Sequence, residues 1–247
     1  MSATVPGGCL PADVVLEFTA ELSRALWHGG DGWSAARWLH DQPAAGPRRD
    51  ELTHLVDGLA GLSPLERGDF AIAVNDDQVR SKLWLIDELS RHCDLGRASL
   101  LVLGGWYGIL PLLANWRLAE PPARMLCIDV DPAVGEIGAR VIGSLYPNVH
   151  YRDGDLTRLD YRELEALPNG IVINTSCEHI ADRHWWSRVP RGQLAVLQSN
   201  DFTCCPEHVS CVRSVDELVR KKPMTSVLFA GELQLAEMHR YMLIGHR

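Results

Sequence analysis

The chain has 247 residues, of which 46% are hydrophobic and 23% are charged, as expected for a globular protein with a buried core. Its formal net charge of −8 makes the surface as a whole repel nucleic acid, so we expect no nucleic-acid partner. The sequence contains no run of 18 apolar residues, so we expect no membrane span.

The cysteines and the amino-terminal sequence bear on the compartment. The chain has seven cysteines, an odd number, and two of them, Cys204 and Cys205, are adjacent. The first residues lack the basic and apolar regions of a secretory signal. We therefore expect reduced cysteines and a cytoplasmic protein.

Residues 1–95 are predicted to be helical. Pro11 opens a segment in which Val15, Phe18, Leu22 and Leu26 recur at helical spacing. Three further helices are predicted at 35–40, 50–59 and 77–92. The segment 70–74 fits either a helix or a strand. No alternating strand pattern is convincing in this part of the chain, which predicts a helical amino-terminal unit.

From Ser99 onward the pattern changes to strands alternating with helices. Strands are predicted at 99–103, 124–128, 149–151, 170–174, 193–198, 226–230 and 240–246. Helices are predicted at 109–116, 133–145, 161–167, 181–187 and 214–220. This alternation is typical of an α/β fold with a mostly parallel sheet.

The first two predicted strands lead to a nucleotide-binding pattern. The first ends in a glycine-rich turn made of Gly104, Gly105, Trp106, Tyr107 and Gly108. The second ends at Asp129, about 20 residues later, and such a carboxylate can accept both ribose hydroxyl protons. Asp155, after the third strand, can accept a hydrogen bond from an adenine amino group. Trp106 stands where a dinucleotide-binding turn has a glycine, which favours an adenosyl ligand without phosphate over NAD.

The glycine-rich turn, Asp129 and Asp155 together resemble the S-adenosylmethionine site of the class I methyltransferase superfamily. The resemblance extends over residues 97–247. It implies S-adenosylmethionine as the ligand and a Rossmann-like, seven-stranded sheet that ends in an antiparallel hairpin. It also implies an S-adenosylmethionine-binding domain at 96–247, with residues 1–95 as a helical cap or lid over the ligand.

Polar residues at the ends of the fourth and fifth predicted strands are the candidate catalytic groups. The fourth strand runs into Asn174, Thr175, Ser176, Cys177, Glu178 and His179, and the fifth ends in Gln198, Ser199, Asn200 and Asp201. We predict that Asn174, Ser176, Glu178 and Asn200 hold the amino acid end of the ligand. His179 or Glu178 would accept a proton. The alternative is that these polar side chains only cap the following turn.

Two other interpretations stay open. Cys177, Glu178 and His179, or a local cluster of Cys204, Cys205, His208 and Cys211, could bind a metal. Neither set has a CxxC pair and adjacent ligands converge poorly, so we expect no metal. Cys177 could be a nucleophile or an inert buried thiol.

The aromatic residues near the predicted site also have two interpretations. Trp106 and Tyr107 lie in the ligand turn, and Trp185 and Trp186 follow the polar turn. Such rings could surround the sulfonium cation or belong to the core.

The reaction depends on which carbon next to sulfur is attacked. Pro111 inside a helix that follows a helical amino-terminal region is similar to nicotianamine synthase-like enzymes. The segments LGGWYG, NTSCEH and QSND resemble those of small bacterial azetidine-2-carboxylate synthases. The resemblance implies an enzyme of secondary metabolism that cyclises S-adenosylmethionine to azetidine-2-carboxylate and releases methylthioadenosine. A small-molecule methyltransferase and a non-catalytic binding protein are the alternatives.

Overall fold

The fold is that of a computed structural model, which describes residues 8–30, 32–42, 46 and 48–247. Residues 1–7 of the predicted cap lie outside the described residues. The seven cysteines all lie within them, and each is a free thiol. No helix in the described ranges is both long and apolar enough to cross a membrane.

Helices make up the amino-terminal part, as predicted. They are α1 (Ala12–Trp27), α2 (Trp33–His40), α3 (Arg49–Leu59), α4 (Pro64–Ala73) and α5 (Asp76–Leu89). Helix α4 resolves the ambiguity at 70–74 in favour of a helix. Its start carries a signal that the hydrophobic pattern did not show, because Ser63 and Glu66 form a reciprocal capping box with Pro64 at the first helical position.

The second part of the chain alternates strands with helices. In chain order it contains β1 (Ser99–Leu103), α6 (Ile109–Arg117), β2 (Arg124–Asp129), α7 (Pro132–Gly138), β3 (Val149–Asp153), β4 (Gly170–Asn174), β5 (Leu194–Asn200), α8 (Val215–Lys221), β6 (Ser226–Gln234) and β7 (His239–His246). A π-helical turn, Ala139–Gly143, continues α7. The predicted strands all form.

These strands build one seven-stranded sheet in the order β3-β2-β1-β4-β5-β7-β6. Strands β1 to β5 pair in parallel, and β7 pairs antiparallel with both β5 and β6. The predicted α/β fold with a mostly parallel sheet and a final antiparallel hairpin is therefore confirmed. Strand β1 lies between β2 and β4, so the strand order reverses there, and ligands of open α/β sheets bind outside the carboxyl ends at such a point.

Two predicted helices are wrong. Segment 161–167 forms a 3₁₀ helix, Tyr161–Ala166, and segment 181–187 forms two short 3₁₀ turns, Asp182–His184 and Trp186–Arg188. The second helix is interrupted because Trp185 leaves the helical region, with φ −138° and ψ −47°. That conformation buries the indole completely, with the Lys222 ammonium 5.0 Å from the ring centroid.

The helical cap shares its hydrophobic core with one face of the sheet. Phe18 of α1 packs edge-to-face on Trp116 of α6, with 5.8 Å between ring centroids. On α5, the Ser81 hydroxyl donates to Gln198 of β5 at 3.0 Å. One continuous cluster of buried apolar side chains runs from the cap helices into the strands, and a second cluster covers the opposite face. The boundary at residues 95 and 96 stays a prediction, because the packing is continuous across it.

Polar contacts also join the cap to the sheet domain. The Trp116 indole donates to the Tyr146 hydroxyl at 2.9 Å, and that hydroxyl donates to Glu51 of α3 at 2.6 Å. We expect Tyr146→Phe to lower the free energy of unfolding by about 1–3 kcal/mol, because it leaves the buried indole N–H unpaired. Urea denaturation measures the change. Tyr161→Phe, which removes one bond to the Leu156 carbonyl, is the matched control and should lose less. Equal losses would contradict the cross-link.

Candidate functional site

A cavity of about 690 Å³ lies at the carboxyl ends of β1, β2, β4 and β5, within the ~300–1,000 Å³ range of small-molecule sites. Helix α5 of the cap forms part of its wall. All predicted site residues except Tyr107 and Gly108 line this cavity: Gly104, Gly105, Trp106, Asp129, Asp155, Asn174, Ser176, Glu178, His179 and Asn200. The sheet topology thus brings together side chains that the sequence separates by nearly the whole domain.

The glycine-rich turn passes close over β2. A Cβ on Gly105 would lie 2.6 Å from the Cβ of Cys127, so no larger residue fits there without a shift. Trp106, at the position where the pattern departs from glycine, has φ +46°. Its backbone N–H donates to Oδ2 of Asp129 at 2.9 Å, which ties the turn to the end of β2. A left-handed conformation at a bulky residue is strained, and such strain is concentrated at functional sites.

Tyr107 and Gly108 are not among the residues that line the cavity, and their contact with a ligand stays a prediction. The Tyr107 ring packs on Phe70 at 5.1 Å, and its hydroxyl donates to Asp69 of α4 at 2.7 Å. Burial raises the pKa of this hydroxyl. Gly108 lies against the Tyr151 hydroxyl, where a Cβ would collide. Tyr107 is directed away from the cavity because the chain bends towards helix α4 after Trp106.

Of the two interpretations of the aromatic residues, the structure favours the core for most of them. Trp106 lines the cavity, but its indole donates its N–H to Asp69 at 3.1 Å and stacks on Tyr107. Trp185 and Trp186 are buried in the hydrophobic cluster on the opposite face of the sheet. Of the four aromatic residues considered from the sequence, Trp106 alone reaches the cavity.

Asp129 and Asp155 present carboxylates at one end of the cavity. The Asp129 oxygens accept from the backbone N–H groups of Trp106 and Asp131, at 2.9 and 3.2 Å. Oδ1 of Asp155 accepts from the backbone N–H and the hydroxyl of Thr157, at 2.8 and 2.7 Å, and these hydrogen bonds lower the Asp155 pKa. Each carboxylate is fixed in place and keeps capacity to accept more hydrogen bonds.

Glu178 and Arg240 form a buried ion pair at the other end. Oε1 of Glu178 accepts from Nδ2 of Asn200 at 2.6 Å and from Nη1 of Arg240 at 3.1 Å. Both charged side chains are 4% exposed. Oε2 of Glu178 has no partner among the described residues. A buried carboxylate oxygen without a donor is costly, so this atom is the strongest indication of a ligand in the cavity.

Arg240 was missed by the sequence analysis. Its backbone lies directly opposite Asn200 in the β5–β7 ladder. The sequence does carry a signal, because Arg240 opens an otherwise apolar strand, Tyr241 to Gly245, whose interior would not tolerate an unpaired charge. The position of Arg240 beside Asn200 depends on the pairing of β7 with β5 and on its register, and the sequence alone did not reveal either.

The polar residues after β4 divide between structural and cavity-facing roles. Oδ1 of Asn174 accepts from the Ser176 backbone N–H at 2.8 Å, so Asn174 caps the turn and also lines the cavity. Cys177 points away from the cavity into the second hydrophobic cluster. Burial raises the pKa of its thiol to about 12, which argues against a nucleophilic role.

Residues after β5 divide in the same way. Of the predicted group at 198–201, Asn200 reaches the cavity. The Gln198 amide instead binds Ser81 of the cap, and Asp201 accepts from the His239 backbone at 2.8 Å.

Two cap residues on α5, Gln78 and Lys82, also line the cavity and were not predicted. The Lys82 amine donates to Oε1 of Gln78 at 2.6 Å. Burial, aided by the positive charge of Arg240, lowers the pKa of Lys82 to about 7, while Glu178 opposes the shift. The available signal was that Lys82 shares the apolar face of the helix with Val79 and Ile86 at helical spacing.

Two histidines lie beside Glu178. The rings of His179 and His208 meet edge-to-face with 4.5 Å between centroids. Nδ1 of His208 is 2.6 Å from the Phe202 carbonyl oxygen. The predicted cysteine cluster does not converge in the same way, since the Cys205 thiol contacts Glu207 and the Cys211 thiol contacts Asn200 and Phe202.

The pH dependence of folding stability tests the burial of Lys82. Between a pH of about 7 and its usual pKa of 10.5, the unfolded chain holds a proton on this amine that the folded protein lacks. The free energy of unfolding of the wild type should therefore rise with pH in this window relative to Lys82→Met. Urea denaturation across the window measures the difference. Lys221→Met, at an exposed lysine, is the control. If the difference in unfolding free energy between the wild type and Lys82→Met does not change with pH, the lowered pKa is contradicted.

Comparison with known proteins defines the fold. No family model matches the sequence, and no curated protein matches it significantly. The structure of geranyl diphosphate methyltransferase in complex with S-adenosylmethionine is 13% identical, with a TM-score of 0.50 over 73% of this chain and 90% of that chain. Magnesium protoporphyrin IX methyltransferase from Synechocystis PCC 6803, with bound S-adenosylhomocysteine, is 12% identical, with a TM-score of 0.49 over 79% and 93%. At this identity, the likeness to the geranyl diphosphate methyltransferase structure is one of fold alone.

Proposed function

We propose that this protein is an enzyme that binds S-adenosylmethionine in the crevice cavity and transfers its methyl group to a small polar molecule. The observation that carries the proposal is the division of one cavity into two chemically different ends. Asp129 and Asp155 lie at one end, and the buried Glu178–Arg240 pair lies at the other. A ligand with a nucleoside at one end and a charged amino acid at the other matches this division.

The nucleoside end supplies acceptors where the ligand has donors. The Asp129 carboxylate can accept from the ribose hydroxyls while it holds the Trp106 N–H. The Asp155 carboxylate can accept from the adenine amino group. Gly104 and Gly105 line the cavity and have no side chains, so the backbone of the turn is open to the ligand.

The charged end supplies both signs. The Arg240 guanidinium can attract a carboxylate, and the free Oε2 of Glu178 can accept from an ammonium or hydroxyl group. In methyl transfer, a lone pair of the acceptor attacks the methyl carbon and the carbon–sulfur bond breaks. Its electron pair stays on sulfur, and the acceptor loses a proton. Lys82 is placed to take that proton, since its pKa of about 7 leaves much of the amine uncharged at neutral pH.

Cyclisation of S-adenosylmethionine to azetidine-2-carboxylate is the second candidate. It is favoured by the same pair of charged groups, which could grip the carboxylate and amine of one amino acid and fold its chain for attack on the γ-carbon.

Titration calorimetry tests the nucleoside end. We expect Asp129→Ala to weaken S-adenosylmethionine binding by ~1–3 kcal/mol, because the ribose hydroxyls lose their acceptor. The matched control is Asp153→Ala, since Asp153 lies opposite Asp129 in the β2–β3 ladder, is exposed and is outside the cavity wall. Equal affinities in the two variants would contradict the assignment, provided that both keep the wild-type thermal transition.

Chromatography of the nucleoside products distinguishes the reactions. With a pool of small polar acceptors, methyl transfer yields S-adenosylhomocysteine, and we expect this product. With S-adenosylmethionine alone, cyclisation would yield methylthioadenosine and a cyclic amino acid. Methylthioadenosine without an acceptor would overturn methyl transfer in favour of cyclisation. Binding without either product under both conditions would indicate a non-catalytic binding protein.

A further inference from the structure

Glu178, His179 and His208 bring three metal-binding side chains to one edge of the cavity. One carboxylate oxygen and one nitrogen from each imidazole all lie within 4.8 Å of one another. Glu178 and His179 come from the turn after β4, and His208 comes from the loop after β5. All three line the cavity. Adjacent residues converge poorly by themselves, and His208 adds a ligand from a separate segment.

The Glu178 carboxylate is oriented for this role. Asn200 and Arg240 both donate to Oε1, at 2.6 and 3.1 Å. Oε2 stays unpartnered although the side chain is 96% buried, its exposed fraction being 4%. Hydrogen bonds to the far oxygen of a ligating carboxylate are the usual support of a metal site. Both donors therefore bind Oε1, and Oε2 is left available to a metal ion.

His208 is oriented in the same sense. Its Nδ1 lies 2.6 Å from the carbonyl oxygen of Phe202, so Nδ1 carries the proton and donates. This tautomer leaves the lone pair of Nε2 free, which is the form in which histidine binds a metal. His179 is exposed at the cavity edge, so its ring can turn towards the same point.

We propose that Glu178, His179 and His208 form a binding site for a divalent transition metal, with zinc as the representative ion. Ligands of a tetrahedral zinc site lie roughly 3.3 Å apart, given Zn–N distances near 2.0 Å. The ligand atoms lie within 4.8 Å of one another, and the exposed His179 imidazole is the side chain that would rotate to bring them together. Two imidazoles and one carboxylate suit zinc or iron(II). Magnesium and calcium prefer more oxygen ligands, and Arg240 already offsets the charge of Glu178.

With three protein ligands, a tetrahedral site leaves one coordination position open towards the cavity. The role of the ion in the reaction rests on the proposed function and deepens it, because the ion would take the place at Oε2 of Glu178 that an ammonium or hydroxyl group takes in its absence. A metal here would bind an oxygen or nitrogen of the acceptor and favour loss of its proton before methyl transfer. The substrate class would be small molecules with a hydroxyl or amine group that can occupy the open position.

Zinc titration of the chelator-treated full-length protein, without S-adenosylmethionine, tests the site directly. We expect one zinc ion per chain by calorimetry. His208→Ala and Glu178→Gln should each weaken binding at least ~10-fold, because loss of a group that merely orients a ligand already costs about 10–100-fold. His54→Ala, at an exposed histidine of α3 outside the cavity, is the matched control and should bind as the wild type does.

Cobalt(II) distinguishes this ligand set from the cysteines nearby. With nitrogen and oxygen ligands, the cobalt form should show d–d bands without a thiolate charge-transfer band. His208→Ala removes a side chain of a surface loop, so it tests the proposal even if Glu178→Gln is unstable. A thiolate band lost in Cys205→Ser, or zinc affinity unchanged in His208→Ala, would overturn the site. S-adenosylmethionine binding, measured separately without metal, shows whether the proposed function fails or stands independently.

Discussion

The ion pair between Glu178 and Arg240 joins the carboxyl end of β4 to the start of β7, with Asn200 of β5 between them. Removing one partner of such a pair leaves an uncompensated charge and costs about 3–5 kcal/mol, so the three strand ends depend on one another. The same pair sets the electrostatics of the cavity. Burial lowers the pKa of Lys82, and within the pair Arg240 adds to this shift while Glu178 opposes it. One oxygen of Glu178 stays free for a ligand.

The core of the fold was predictable because it rests on local patterns. Strands β1 and β4 begin and end where the apolar runs Ser99–Leu103 and Gly170–Asn174 do, since both are flanked by turn residues. Helix α4 was missed because its signal is a cap and not a hydrophobic period. The helix predicted at 181–187 failed because burial of Trp185 overrides local preference. Register, which places Arg240 beside Asn200, depends on long-range pairing that a single sequence does not reveal.

The site was predictable on the same terms. Residues at strand ends, such as Asp129 and Asn174, were identified because parallel strands bring their carboxyl ends to one edge of the sheet. Lys82 and Gln78 were missed because they reach the cavity from the cap, through packing of α5 on β5. The sequence could not tell that the Tyr107 side chain packs on Phe70 and not in the cavity, because neighbours in a tight turn point in different directions. The position of His208 near Glu178 and His179 depends on the conformation of the loop after β5, which the sequence does not reveal.

Trp106 has a consequence for how this fold can be divided. Its backbone is left-handed, and its backbone N–H donates to Asp129. Its indole N–H donates to Asp69 of α4. The cap thus supports the strained turn that lines the cavity. A chimera that joined this sheet domain to the cap of another protein would keep Trp106 but lose Asp69. The conformation of the turn therefore depends on this particular cap, so the cap and the sheet domain cannot be exchanged independently, although they are separate segments of the sequence.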